Sequence, residues 1–465
     1  MEEELARLSW PEAPKIVTRE IPGPKSKEIL EKEDAYETVT EMAPRGVPIA
    51  WSEAFGSTVK DPDGNMFIDL VAGVATNNVG HSHPKVVEVI RRECAILMHN
   101  GGAPNLPRLR LGEKLSQIAP GALKGNVKMT YGLSGSSAVE IATKFAKKAT
   151  QRHFVASFEG CYHGAIGITL DLGTSRVRGI RGAYRPFSPF VWHLGPYAYC
   201  YRCPFNLKYP ACDLQCAKYI EFQIASPRSG LDAQDLAAII IEPMQGEGGY
   251  INPPDGFLSY IKKVCERFGI LFIADEIQVG MGRTGKFFAV EHHRIEPDML
   301  TMGKALGGDV PFSAVMMRKD IADKLEPASH ILTAVGNATS CAVACTNIDL
   351  IQGLLDRALK LGDYIIAYFK DMAKKREIIG DVRGKGLGIG VELVKNRQTK
   401  KPLQPEEMRR IVLACRDRGV FELPSGRYGN VLRIAPPLVI TKAHIDRALE
   451  IIHGILKEVE GDFLE

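Results

Sequence analysis

The sequence contains no long apolar run and no strong excess of one charge. Its longest aliphatic stretches, such as Leu236 to Ile241, are far too short to cross a membrane, and the acidic N-terminal segment lacks the apolar centre of a signal peptide. The 59 Lys and Arg residues nearly balance the 55 Asp and Glu residues, and no basic run is interleaved with aromatic residues. We therefore expect a cytoplasmic protein that binds neither membrane nor nucleic acid.

Internal repeats and low-complexity tracts are also absent, so the sequence does not predict a repeat architecture. The chain has 465 residues, of which 45% are hydrophobic and 25% are charged. These values are those of an ordinary globular protein with a large core, and the length exceeds that of one typical domain. We therefore expect two domains.

Short apolar stretches alternate with helical patterns in the middle of the chain. The predicted strands are residues 126–130, 154–157, 238–241 and 270–274, and the helical patterns between them include residues 136–148 and 257–268. Strands that alternate with helices indicate the α/β class, with a mostly parallel sheet covered by helices on both faces. In such folds, functional residues gather at the carboxyl ends of strands and at the amino ends of helices.

Both ends of the chain have a different character. A hairpin is predicted over residues 57–69, because Asp61-Pro-Asp-Gly64 is a strong turn signal, and long charged helices are predicted at residues 358–375 and 405–418. We interpret residues 1–70 and 346–465 as two parts of one smaller α+β domain, and residues 71–345 as the large domain.

Ten cysteines are present, and six of them are scattered without metal-like spacing, as expected for reduced thiols. The other four lie in an aromatic and Pro-rich insert that begins near Phe187 and have the spacing C-x2-C-x8-C-x3-C: Cys200, Cys203, Cys212 and Cys216. This spacing is compatible with a zinc or iron-sulfur site, with two disulfides, or with a loop of partly buried thiols. The sequence leaves these alternatives open, and no metal ligand is assigned.

The most informative residue is Lys304, in Thr301-Met-Gly-Lys304, which follows a short apolar stretch downstream of Asp275. A desolvated lysine can lose its proton and form a Schiff base with an aldehyde cofactor such as pyridoxal phosphate. A carboxylate at a strand end, here Asp275, can keep the pyridine nitrogen of that cofactor protonated. Taken alone, Asp275 could equally be a helix N-cap or the partner of an arginine.

Two further motifs follow predicted strands. Ser134-Gly135-Ser136 opens a helix, where backbone N-H groups and the helix dipole can bind a phosphate, although such a motif by itself is more often an N-cap. Tyr162-His163-Gly164 follows the next strand, where an aromatic ring could stack on a planar cofactor. An isolated Tyr-His pair is more often a core aromatic at a turn.

Together these motifs resemble the class III aminotransferases of pyridoxal-phosphate fold type I, the family that contains 4-aminobutyrate and ornithine aminotransferases. The resemblance runs from about residue 45 to residue 450. Seven motifs in family order carry it: Gly80-His-Ser-His-Pro84, Ser134-Gly-Ser136, Tyr162-His-Gly164, Ile241-Glu-Pro-Met-Gln-Gly-Glu247, Asp275-Glu-Ile-Gln278, Gly303-Lys304-Ala-Leu-Gly-Gly308 and Leu432-Arg433-Ile-Ala-Pro-Pro437.

The resemblance implies a role for each cofactor residue. Lys304 is implied as the Schiff-base lysine and Asp275 as the partner of the pyridine nitrogen, while Gln278 would bond the phenolic oxygen of the cofactor. Tyr162 would stack on the ring with His163 beside it, and Gly135 and Ser136 would hold the phosphate. Thr333 would reach the phosphate of the neighbouring subunit, which implies a homodimer with shared sites.

The resemblance also implies the substrate residues. Arg433 would clamp a carboxylate of the amino acid or of 2-oxoglutarate, and Glu247 would act as a gate that pairs with this arginine when an ω-amino donor enters. Glu242, nearer the strand, would contact other protein groups rather than the substrate. These roles imply a transaminase for an ω-amino or basic amino acid.

Alternatives remain for the reaction. An amino-acid racemase of the same family would need a second acid or base opposite Lys304, and such members look as though they carry Asp at the position of Glu247, so Glu here favours transamination. A cofactor-binding regulator without turnover is disfavoured by the intact Lys304, Asp275 and Arg433. Two loops depart from the family pattern, with Asp309 after Gly307-Gly308 and Ala338 after Gly336-Asn337, and this puts the substrate shape in doubt.

Overall fold

The computed structural model describes residues 2–37, 46–175, 190–226 and 230–464, so the first residues of the insert predicted from Phe187 lie outside the described residues. The helices are α1 (Glu2–Ala6), α2 (Pro24–Asp34), α3 (Ala72–Ala75), α4 (Pro84–Cys94), α5 (Leu106–Ile118), α6 (Gly135–Thr150), α7 (Gly167–Leu172), α8 (Gln215–Ala225), α9 (Phe257–Phe268), α10 (Lys319–Ala322), α11 (Ala338–Gln352), α12 (Leu355–Lys375), α13 (Pro405–Asp417) and α14 (Lys442–Phe463). Within the described residues, no single helix is long and apolar enough to cross a membrane. The helices α11 and α12, which are bent by 60° relative to each other, have the required length and composition only when they are taken together.

The strands are β1 (Glu53–Phe55), β2 (Thr58–Lys60), β3 (Met66–Asp69), β4 (Val127–Gly132), β5 (Phe154–Phe158), β6 (Val191–Leu194), β7 (Leu236–Ile241), β8 (Leu271–Asp275), β9 (Met299–Met302), β10 (Ser313–Arg318), β11 (Ile379–Lys385), β12 (Gly388–Asn396), β13 (Lys401–Pro402), β14 (Val420–Phe421), β15 (Pro424–Ser425) and β16 (Val431–Ile434). They form three sheets. The predicted strands and helices in the middle of the chain are confirmed.

The chain divides into two compact units, one of residues 85–355 and one that combines residues 1–84 with 356–465. Both boundaries lie later in the chain than the predicted ones at residues 70 and 345. The first is later because His81 exchanges backbone hydrogen bonds with Gly56 and its ring contacts Asp69 at 2.7 Å, so this segment belongs with the hairpin. The second is later because α11 packs against α5 within the 85–355 unit.

A seven-stranded sheet forms the centre of the 85–355 unit, in the order β4-β10-β9-β8-β7-β5-β6. Neighbouring strands are parallel except that β10 runs antiparallel to both β4 and β9, so the predicted mostly parallel sheet is confirmed. Helix α6 buries Ala138, Ile141 and Phe145 against this sheet, which is the apolar face predicted for residues 136–148. The strand β7 is buried at all six positions, as expected for a central parallel strand.

The unit built from the two chain ends contains the other two sheets. The predicted hairpin is confirmed, since β2 pairs with β3 in antiparallel register, and the Asp61 carboxylate accepts hydrogen bonds from the N-H groups of Asp63 and Asn65 in the turn. The sheet is extended by β14, which pairs in parallel with β3. This strand pair joins the N-terminal and C-terminal segments into one unit.

Two helical glycines allow a test of packing in the unit of the chain ends. In α12, a Cβ atom on Gly362 would lie 2.0 Å from the backbone oxygen of Gly386, whereas a Cβ on Gly454 in α14 would meet nothing within 4 Å. We expect Gly362→Ala to lower the free energy of unfolding by about 1–3 kcal/mol. Gly454→Ala should raise it by about 0.5–1 kcal/mol, because alanine loses less backbone entropy on folding.

Thermal unfolding of the two variants and the parent protein measures this difference. The packing argument is wrong if both substitutions shift the melting temperature in the same direction by similar amounts.

Candidate functional site

A cavity of about 180 Å³ lies in the 85–355 unit, where the loops after β4, β5 and β8 meet the loop before β10. It is lined by Ser134, Gly135, Ser136, Tyr162, His163, Gly164, Glu242, Asp275, Ile277, Gln278 and Lys304. All the residues predicted to bind a cofactor therefore line one cavity, with the exception of Thr333. A larger cavity of about 550 Å³ in the chain-end unit has a mostly apolar lining without lysine, histidine or cysteine among the described residues, so we assign the chemistry to the smaller one.

Asp275 ends β8 at the base of this cavity and is 3% exposed. Its Oδ2 lies 2.6 Å from Nδ1 of His163, and its Oδ1 accepts hydrogen bonds from the Thr301 hydroxyl at 3.0 Å and from the N-H of Ile277 at 3.1 Å. Burial opposes a charge on His163, but its neighbours Cys161 and Asp275 outweigh burial and raise the pKa of His163 well above its ordinary value. The protonated form of His163 is therefore favoured beside Asp275.

Lys304 begins a 3₁₀ turn directly after β9 and has a backbone φ of +41°, in the left-handed region that lysine rarely adopts. The N-H groups of Gly307 and Gly308 both donate to the Lys304 carbonyl, which holds this strained conformation. The Lys304 amine donates to Oε1 of Gln278 at 2.8 Å. Backbone strain of this kind is concentrated at functional sites, and here it fixes the direction of the only lysine in the cavity lining.

The amino end of α6 forms another part of the cavity lining. The first hydrogen bond of the helix runs from the N-H of Ala138 to Ser134, and the Ser134 hydroxyl caps the N-H of Ser137. The helix itself therefore does not use the N-H groups of Gly135 and Ser136, which are the two residues predicted to hold a phosphate. A Cβ on Gly164 would lie 2.3 Å from the Ser136 hydroxyl, so only glycine allows this close approach.

Two buried carboxylates near Asp275 were not assigned a direct role from the sequence. Glu242 follows β7, lines the cavity, and accepts hydrogen bonds from the N-H groups of Tyr162 at 2.9 Å and Gly246 at 2.8 Å. Burial raises the pKa of Glu242 to about 7, with His163 lowering it and Asp275 raising it. Glu276 accepts the N-H groups of Ala289 and Val290, and burial raises its pKa to about 8. The sequence does contain a signal for Glu242 and Glu276, because each is an acidic residue that directly follows a buried apolar strand.

The remaining predicted residues lie outside the cavity lining. Thr333 is exposed in the segment before α11, and Glu247 is 8% exposed in the loop after β7. Arg433 belongs to the chain-end unit, in β16 opposite Gly390 of β12, and is 1% exposed, which confirms that it is not a surface arginine. Its backbone N-H donates to Glu422, whose pKa is raised by burial to about 8.

The four insert cysteines line one small cavity, and the other residues of its lining also come from the chain segment that follows β6 and precedes α9. In the structure Cys200 is exposed, while Cys203, Cys212 and Cys216 are partly buried. Across the described ranges, no group of three or more His, Cys, Asp or Glu side chains has an arrangement that could hold a metal ion. The partial burial of three of these four side chains agrees with the third alternative, a loop with partly buried thiols.

Comparison with known proteins accounts for the arrangement of the cavity. The family model "Aminotransferase class-III" matches residues 41–456. The chain belongs to the class III aminotransferase family. An alanine/serine racemase of Pyrococcus horikoshii is 37% identical and covers 96% of this chain and 93% of its own length. A 4-aminobutyrate aminotransferase of Mycobacterium leprae is 35% identical over 96% of this chain and 97% of its own.

The solved structures give the same result for the fold. An (S)-enantioselective ω-transaminase from Thermomicrobium roseum superposes with a TM-score of 0.84 at 28% identity, covering 93% of this chain and 98% of that one. The expected fold type I is therefore correct, and the protein is a pyridoxal-phosphate-dependent enzyme. Family and structural neighbours support a transaminase, with a racemase as the alternative.

The cavity of this class III aminotransferase fits the cofactor. The amine of Lys304 can reach a carbonyl group, the carboxylate of Asp275 suits a protonated ring nitrogen, and the amino end of α6 suits a phosphate. Among the described residues, Nε2 of His163 is buried without a hydrogen-bond partner, which is a further indication that a polar group completes this cavity.

Cofactor affinity should depend on the close approach of Gly164 to Ser136. Gly164→Ala adds a Cβ where φ is +136°, 2.3 Å from the Ser136 hydroxyl and 2.4 Å from the Thr169 hydroxyl, so the Ser136 side chain and the backbone of residue 164 must shift beside the phosphate site. We expect the Kd for pyridoxal phosphate to rise about tenfold or more, the usual effect of losing a hydrogen bond to a charged group. Fluorescence titration of the cofactor-free protein measures it.

Gly173→Ala is the matched control for this titration. Gly173 follows α7 with a φ of −73°, and its added Cβ would have only ordinary contacts, at 3.5 Å or more. A Gly164→Ala protein that binds the cofactor as tightly as the Gly173→Ala protein would contradict the assignment of Ser136 to the phosphate site.

Proposed function

We propose that this enzyme transfers the amino group of an ω-amino or basic amino acid, of the 4-aminobutyrate or ornithine type, to 2-oxoglutarate. The observation that carries the proposal is the cavity in which Lys304, Asp275 and the amino end of α6 meet. Bound pyridoxal phosphate supplies an electron sink that stabilises negative charge on the substrate carbon next to nitrogen. Lys304 holds the cofactor covalently between turnovers and moves the proton that transamination requires.

The other cavity residues orient and tune the cofactor. Asp275 holds a proton on the ring nitrogen, and the Asp275 carboxylate is itself fixed by His163 and Thr301. Gln278, which already contacts the Lys304 amine, is suited to the phenolic oxygen of the cofactor. Tyr162 lines the same cavity and offers an aromatic ring for stacking.

The choice between transamination and racemisation depends on Glu247. A racemase requires a second acid or base on the cofactor face opposite Lys304, and the resemblance to the family implies Asp at this position in such enzymes. Glu247 instead matches the gate that the resemblance to the family implies for an ω-amino donor. A racemase remains the second candidate, because a relative named as a racemase is 37% identical over nearly the whole chain.

We propose a homodimer in which Thr333 completes the phosphate site of the partner subunit. Thr333 is exposed and lies outside the cavity lining of its own chain. The 85–355 unit also exposes large apolar side chains around the C-terminal end of α4 and on α5, with Ile96 71%, Met98 69% and Leu109 59% exposed. Exposed apolar side chains in such a group are typical of a surface that binds another protein.

The reaction is tested by incubating the enzyme with 4-aminobutyrate or ornithine plus 2-oxoglutarate and measuring glutamate. We expect glutamate to accumulate in step with loss of the donor, and no glutamate when 2-oxoglutarate is left out. The parallel assay uses L-alanine, L-serine or L-leucine without any oxo acid and follows the D-enantiomer by chiral chromatography. Rapid formation of D-amino acid without glutamate formation in the first assay would establish the racemase instead.

Shared sites predict complementation between two inactive variants. Lys304→Ala should abolish turnover and the covalent adduct that borohydride fixes to the protein, and Thr333→Ala should lose activity when the cofactor is limiting. A mixed dimer contains one site with the native residue at both positions. Mixing and reassociating the two variants should therefore restore up to about a quarter of the native activity if dimers form at random.

The control for complementation is each variant dissociated and reassociated alone. If the mixture remains no more active than the two variants measured separately, Thr333 does not act across a subunit interface. The assignment of Lys304 rests on its own borohydride experiment and is independent of this outcome.

A further inference from the structure

Glu242 accepts one hydrogen bond on each carboxylate oxygen, and the two donors belong to different loops. Its Oε1 accepts the N-H of Tyr162 at 2.9 Å, in the loop of residues 159–164, and its Oε2 accepts the N-H of Gly246 at 2.8 Å, in the loop of residues 243–249. The first loop carries Tyr162 and His163, which line the cofactor cavity, and the second carries Glu247. One buried side chain thus connects the loop that faces the cofactor with the loop of the proposed gate.

The two loops also contact each other directly beside this carboxylate. The Gln245 side chain donates to the carbonyl of Glu159 at 2.9 Å, and a Cβ on Gly248 would lie 2.7 Å from the carbonyl of Gly160. A Cβ on Gly160 would in turn meet the Gln245 side chain at 3.0 Å. The glycines allow a close approach that side chains would prevent, so the two loops lie in direct contact beside Glu242.

The carboxylate is retained at an energetic cost. Glu242 is 4% exposed, and burial raises its pKa to about 7 even though it accepts two backbone hydrogen bonds. The titratable groups that face it are His163, Asp275 and Tyr197, the last of which donates its hydroxyl to the Glu242 carbonyl. A raised pKa means that burial disfavours the ionised form of Glu242, and the two backbone hydrogen bonds offset part of this cost.

We infer that Glu242 is a positioning residue that sets the Tyr162 loop and the Glu247 loop in one fixed arrangement, so that cofactor stacking and the substrate gate are coupled. The inference rests on the proposed function, because that function makes Glu247 a gate. The pairing of the two loops through Glu242 does not depend on which reaction is catalysed. The two loops are coupled directly, because the N-H groups of Tyr162 and Gly246 donate to the same carboxylate.

The test is hydrogen-deuterium exchange of the full-length holoenzyme, read by mass spectrometry at peptides that contain residues 159–164 and 243–249. In Glu242→Ala both amides lose their acceptor, so both peptides should exchange roughly tenfold faster or more, while the central strands of the sheet stay protected. The circular dichroism of the bound cofactor should change as well, because the Tyr162 loop faces the ring. If Glu242→Ala does not fold, Glu242→Gln, which keeps one acceptor oxygen, should release at least one of the loops.

Glu276→Ala is the matched control, since Glu276 is also buried and also accepts two backbone N-H groups, those of Ala289 and Val290. Its faster exchange should be confined to the peptide around residues 288–291, and the peptides of residues 159–164 and 243–249 should exchange as in the parent protein. The inference is overturned if Glu242→Ala accelerates only one loop, or if its cofactor signal is that of the parent protein. Failure of the glutamate assay with intact loop coupling would refute the proposed reaction alone.

Discussion

The buried carboxylate of Asp275 is the constraint around which the rest of the site is organised. A carboxylate that is 3% exposed is costly unless it is paired, and removal of one partner from such a buried pair typically costs about 3–5 kcal/mol. His163, the Thr301 hydroxyl and the Ile277 N-H together satisfy it. Each of these partners comes from a different part of the sheet, so the requirement to satisfy Asp275 aligns the loops after β5 and β8 with the end of β9.

The same sheet explains why the chemistry is concentrated at one edge. The strands β5, β7, β8 and β9 are parallel, so their carboxyl ends and the residues that follow them lie side by side. Lys304 follows β9, Asp275 ends β8, Glu242 follows β7 and Tyr162 follows β5. The antiparallel strand β10 then brings the chain back beside β4, which places the amino end of α6 at that edge. A phosphate, a ring nitrogen and an aldehyde carbon can thus be bound by residues far apart in sequence.

Glycine has a specific function in this arrangement at a small number of positions. Gly164 allows Ser136 to approach, and Gly303 allows the backbone before Lys304 to lie against Gly135, whose Cα is 3.3 Å from the position that a Cβ on Gly303 would occupy. The strain of Lys304 in the left-handed region is sustained by hydrogen bonds from the two glycines that follow it. These hydrogen bonds hold the backbone that carries the Lys304 side chain, and catalysis by positioned groups requires such support.

The α/β class, four strands of the central sheet and the polar motifs that follow them could be predicted from the sequence, because apolar runs bounded by Gly, Ser and Asp mark buried strands and the loops after them. The role of Lys304 was suggested by its own surroundings, while those of Gln278, Thr333 and Arg433 came from the resemblance to a family. Only the tertiary structure decided where the domain boundaries lie, which carboxylate bonds which loop, and that the four insert cysteines line one cavity. These features depend on contacts between distant segments and on distances of a few ångströms, which local sequence patterns do not encode.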